Sequence, residues 1–151
     1  MFTIKNYKMG FDLWGLLLFL FIMLPNFLWF ALPAPNDVLR VSSVTPAADQ
    51  IGQVFQVLMA AALCVLRNTS RKQPMKASYK AAVVLLVLLY FGGWLLYYAG
   101  ITNAAVILIL CLAPCMAFLL FSLARKNAVA LLAAGGFLLC HLTYGVINFI
   151  R

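Results

Sequence analysis

Asp49, Gln53 and Gln56 stand four and three residues apart, so a helix would carry all three on one face. Tyr90, Trp94 and Tyr97 repeat at four and three, and His141, Tyr144 and Asn148 at three and four. Asn26 follows Pro25 in the first apolar run, close to Trp29. These residues are amides that donate and accept, phenols, an indole, one imidazole and one carboxylate. Such a set suits non-covalent capture of a small amphipathic or aromatic molecule. Asn26, Asp49, Gln53, Gln56, Tyr90, Trp94, Tyr97, His141, Tyr144 and Asn148 are therefore the expected ligand-binding residues.

Covalent and metal chemistry find little support. Cys111 and Cys115 are one helical turn apart around Pro114, whereas a redox dithiol has the spacing C-x-x-C. With Cys64 and Cys140 they lie inside apolar runs, where cysteine packs as a small hydrophobe. One histidine and these thiols do not compose a metal site. No G-x-S-x-G, H-E-x-x-H or phosphate-binding glycine loop occurs. No lysine and no acid falls at the middle of an apolar run, so a carboxylate-driven ion carrier has no basis. The expectation is a protein that is not an enzyme and carries no cofactor and no metal.

The elements that position these residues are five apolar runs, about 11–32, 46–66, 81–100, 104–124 and 128–150. The chain has 151 residues, is 66% hydrophobic and only 9% charged, against roughly 25% charged in a soluble domain. About 20 residues at 1.5 Å rise cross a hydrocarbon core of about 30 Å. The predicted fold class is all-α: one integral membrane bundle of five transmembrane helices, 1–151, with no separate soluble domain. Connections as short as Ile101-Thr102-Asn103 and Arg125-Lys126-Asn127 require the last three helices to pack antiparallel. Gly92-Gly93 and Ala133-Ala134-Gly135-Gly136 offer small surfaces for close helix approach.

Charge orients the bundle. The net charge is +8, with 11 lysines and arginines. Lys5, Lys8, Arg67, Arg71, Lys72, Lys76, Lys80, Arg125 and Lys126 all fall on one side if the spans alternate; Arg40 and Arg151 fall on the other. Basic residues concentrate in cytoplasmic connections, which predicts a cytoplasmic N-terminus, a C-terminus outside and a multi-pass protein of the plasma membrane. The first run reads as a retained span, because proline at position 35 makes a poor cleavage site after Leu32-Pro33-Ala34. The cations are accounted for by orientation and anionic lipid, so no nucleic acid is expected.

With that orientation the polar stripes of four spans share the outer half of the bilayer. They could converge on one cavity roofed by the loop 33–45. In that loop Thr45 is expected to cap the second helix, Pro46 to start it and Asp49 to favour its positive end. The expected partners are the bilayer and a small amphipathic ligand, with a second copy or another membrane protein as a further possibility. The alternative function is a structural or accessory subunit packing against such a protein. Length, five spans, a long first loop and an outer aromatic pocket resemble the architecture of the tryptophan-rich sensory (translocator) proteins. The chain has three tryptophans and no clear match to that family's loop motif, so the likeness is architectural and assigns no family.

Overall fold

The computed structural model describes residues 6–70 and 74–150. Lys5, Arg71, Lys72 and Arg151, used above to orient the chain, lie outside the described residues. Five helices follow the apolar runs: α1 Leu13–Ala31, α2 Pro46–Val65, α3 Ala77–Tyr98, α4 Ala104–Ala124 and α5 Ala128–Phe149. All five are long and apolar enough to cross a membrane, which marks a multi-pass membrane protein. The third helix starts four residues before its predicted boundary, taking in Lys80, while α4 matches its prediction. Pro25 and Pro114 both lie within unbroken helices.

α4 is the spine. Its Val106, Ile107, Leu110, Cys111, Cys115, Ala117, Phe118 and Phe121 are buried, and α3 and α5 pack along either side. α2 lies against α5, and α1 closes the ring with thinner contacts to α2, α3 and α4. Small residues permit the closest crossings. A β-carbon on Gly93 would stand 2.8 Å from Ile109 Cγ2, one on Gly136 2.6 Å from the Phe55 ring and one on Gly145 2.5 Å from Cys111 Sγ. Gly92 and Gly135, by contrast, face open space. The outward faces carry Leu20, Phe21, Leu24, Phe27, Val54, Val57, Leu85, Leu88 and Leu95, an exposed apolar surface that water would not tolerate.

One end of the bundle carries a feature absent from the sequence reading. Strands β1 (Tyr7–Met9) and β2 (Leu66–Asn68) form an antiparallel ladder, Lys8 opposite Arg67. Asp12, passed over in the sequence, accepts from the amides of Trp14 and Gly15 and so caps α1. It also takes Arg125 Nη2 at 2.7 Å, joining the start of α1 to the end of α4. Buried Asn127 caps α5 through Ala130 N and donates to the carbonyls of Ala62 and Leu66. The Tyr7 hydroxyl accepts from Ala128 N and donates to the Lys126 carbonyl. Lys126 adopts φ 52°, the left-handed residue that ends α4.

Loop 33–45 spans the opposite end. Asp37 is its hub: Oδ1 accepts from Trp29 Nε1 and from the Tyr97 hydroxyl, each at 2.8 Å. Oδ2 accepts from Arg40 Nε at 2.6 Å and from Ala34 N at 3.2 Å. The Arg40 guanidinium also donates to the Trp29 carbonyl and lies 4.8 Å from the Trp29 ring centroid. Asn36 reaches the Gly100 carbonyl, and Tyr98 reaches that of Leu32. At the other side Asn148 accepts from Val44 N and donates to Thr45 Oγ1. The loop is thus pinned to α1, α3 and α5. Thr45 makes no side-chain cap, because its hydroxyl is spent on Asp49, Ser43 and Asn148, and Pro46 at the first helical position needs no acceptor.

Candidate functional site

Below the loop, a cavity of about 330 Å³ enters the bundle. All five helices line it, one more than the sequence stripes implied. Its wall includes Ile22, Met23, Asn26 and Phe30 of α1, Asp49, Gly52, Gln53 and Gln56 of α2, and Tyr90 of α3. Pro114 and Phe118 of α4 and Phe137, Cys140, His141 and Tyr144 of α5 complete it. Phe30 of α1 and Gln53 of α2 are its exposed members, so it opens sideways between α1 and α2.

Each polar group is set by its helix. Asp49 lies in the first turn of α2 and accepts from Thr45 Oγ1 at 3.3 Å. Gln53 and Gln56 follow on the same face, and Gln56 Nε2 reaches Met23 Sδ across the cavity at 3.6 Å. Asn26 donates to the Ile22 carbonyl and, at 2.7 Å, to the Tyr90 hydroxyl. His141 stacks on Phe137 at 5.0 Å and on Tyr144 at 6.2 Å between ring centroids. Gly52 keeps this corner open: a β-carbon there would meet Cys140 Cβ at 3.1 Å.

Seven expected residues, Asn26, Asp49, Gln53, Gln56, Tyr90, His141 and Tyr144, line this one cavity. Trp94, Tyr97 and Asn148 do not. Trp94 is buried in an aromatic cluster, 6.3 Å from both Trp29 and Tyr90 and 5.5 Å from Tyr97. Tyr97 donates to Asp37 and accepts from Leu39 N. Asn148 holds the loop. These three sit a turn closer to the bundle end than the cavity, where the loop packs. Sequence reasoning missed Met23, Gly52, Cys140 and the phenylalanines of the wall, which in a chain this apolar carry no distinguishing signal.

A second concavity, about 620 Å³ and almost wholly apolar, lies between α1 and α3 at the basic end, with Lys80 and Arg125 in its wall. Among the described residues no group of three histidine, cysteine or acidic side chains could hold a metal. Buried Cys111 and Cys115 pack in the spine, and Cys64 and Cys140 are half-buried.

No family model, curated protein or solved structure matches the chain. The functional reading therefore rests on the cavity's own chemistry.

Proposed function

We propose that the chain is a non-enzymatic protein of the plasma membrane that binds a small amphipathic or aromatic molecule in the cavity between α1 and α2, in order to sense it or move it. The N-terminus and the basic end face the cytoplasm, and the loop and the cavity belong to the outer half of the bilayer. The observation that carries this reading is the meeting of Asn26, Asp49, Gln53, Gln56, Tyr90, His141 and Tyr144 around one cavity. Polar groups at this depth are costly unless they find partners. Gln53 has no hydrogen bond to another described residue and faces the opening, where a ligand's polar group could meet it. The mouth points to lipid, so an amphipathic ligand would enter from the bilayer rather than through the pinned loop.

Cys140 supplies the test, since it lines the cavity, while Cys64 reports on the basic end. A panel of small aromatic amphiphiles, indole and phenol among them, is offered to the detergent-purified protein during N-ethylmaleimide labelling. At least one should slow modification of Cys140 severalfold and leave Cys64 unaffected. Gln56→Ala and Tyr144→Ala should each weaken that protection about three- to tenfold, the loss of one hydrogen bond or ring contact. Equal labelling with and without every compound would end the binding reading.

The orientation has its own check. Membrane-impermeant acylation of intact cells should leave Lys76 and Lys80 unmodified and reach them only after permeabilisation. Labelling of either in sealed cells would invert the assignment.

A further inference from the structure

The cavity's charge points to a narrower class of ligand. The chain has only three acidic residues among 11 lysines and arginines. Two of the three acids are ion-paired: Asp12 with Arg125 at 2.7 Å and Asp37 with Arg40 at 2.6 Å. The third, Asp49, makes no salt bridge with any described residue and lines the cavity. One oxygen takes the Thr45 hydroxyl at 3.3 Å, and the other has no hydrogen bond to another described residue. The positive end of α2 stabilises this carboxylate but leaves its cavity side unpaired.

The remaining wall agrees. Among the described residues no lysine or arginine lines the cavity. His141 is the one side chain able to become positive among the described residues of its wall, and as the neutral imidazole it offers a ring acceptor. Phe30, Tyr90, Phe118, Phe137 and Tyr144 present aromatic rings, whose faces attract cations. Gln53 and Gln56 add amide oxygens, and Met23 a polarisable sulfur. Arg40, the described cation at this end, is committed to Asp37 and the Trp29 carbonyl. The basic end lies roughly 25 Å of helix away.

We infer that the cavity selects a small organic cation, a quaternary or tertiary ammonium carrying an apolar group, with Asp49 as its counter-charge and the surrounding rings as its cage. The inference rests on the cavity being a binding site, as proposed above. The apolar group would lie against Phe118, Phe137 and Ile22, and the ammonium toward the first turn of α2. An anion of the same size would meet the Asp49 carboxylate and the negative ring faces, and would be rejected.

Three probes of similar size separate charge from shape: phenyltrimethylammonium, its uncharged isostere tert-butylbenzene, and benzenesulfonate. Protection of Cys140 from N-ethylmaleimide reports occupancy for all three. Phenyltrimethylammonium should protect at a concentration about tenfold below tert-butylbenzene, and benzenesulfonate should protect least. Asp49→Asn keeps an acceptor for Thr45, and its unfolding temperature should match the parent. It should abolish the advantage of the cation over tert-butylbenzene. Equal protection by cation and isostere, unaltered by Asp49→Asn, would overturn the cation inference and leave the cavity as a site for neutral molecules. Protection by none of the three would overturn both.

Discussion

Asp37→Ala should be the most damaging single change in the connecting loop, lowering stability by about 3 kcal/mol. The carboxylate takes four donors: Trp29 Nε1, the Tyr97 hydroxyl, Arg40 Nε and Ala34 N. With only 11% of its side chain exposed, water cannot replace it fully, and removal leaves an indole, a phenol and a guanidinium short of an acceptor. Asn at this position should recover only part of the loss, because its amide nitrogen would face a donor. Acid offers an independent measure. Burial alone would raise the Asp37 pKa, but the bonds from Trp29, Tyr97, Arg40 and the Ala34 amide outweigh it and hold the value below that of an ordinary carboxylate. A group depressed on folding gives its full stabilisation above its unfolded pKa of about 3.9 and loses it as pH falls through the lower, folded value. Thermal unfolding in detergent should therefore show no Asp37-dependent change between pH 7 and 5. A drop should set in below about pH 4, and the drop should be smaller in Asp37→Asn. A variant as stable as the parent at pH 7 would show that the loop is not held by this hub.

The hub also shows how far the sequence could be read. Helix existence and number were legible because each run of about 20 apolar residues has one stable form in lipid. Asn103 and Asn127 preceded runs and became caps, each accepting from the amide three residues on. The β1–β2 ladder was not legible. Its strands have three residues each, bear no alternation and pair Tyr7 with Asn68 across the whole of α1 and α2. Asp12 was missed for a related reason. At the very start of the first apolar run it reads as a generic flank, and its partner Arg125 is 113 positions away.

Within the site, spacing conveyed which residues share a helix face, but not the depth at which neighbours close over that face. Tyr90, Trp94 and Tyr97 do lie on one stripe of α3. Tyr90 meets the cavity, Trp94 a cluster with Trp29, and Tyr97 the loop. Each helical turn advances about 5.4 Å, and within two turns the partner changes from space to ring to carboxylate. The loop decides this, since Asp37 draws Trp29 and Tyr97 together and fills the upper part of what would otherwise be a deeper chamber. A turn-rich segment such as Pro33 to Asp37 shows in sequence that the chain bends, not where its carboxylate lands.

The other large effect is expected at Gly15→Ala. α1 makes the thinnest contacts of the five helices, and at Gly15 its backbone lies directly against that of α2. A β-carbon there would lie 2.9 Å from the Leu63 carbonyl carbon and closer still to its oxygen. Both are backbone atoms of a buried residue and cannot swing aside as a side chain would. α1 must therefore lift at its basic end, straining the Asp12 cap, the Asp12–Arg125 pair and the bond from Asp12 N to the Cys64 carbonyl. The expected loss is about 3 kcal/mol, at the upper end for one added methyl group in a packed interior. Gly92→Ala and Gly135→Ala supply the contrast. Both are within helices, meet nothing within 4 Å, and should stabilise by up to about 1 kcal/mol through helix propensity alone. Thermal unfolding of the three variants in one detergent measures the difference. If Gly15→Ala were as benign as the other two, α1 would not be seated on α2 through this contact, and the wall it gives the cavity through Met23 and Asn26 would lose its anchor.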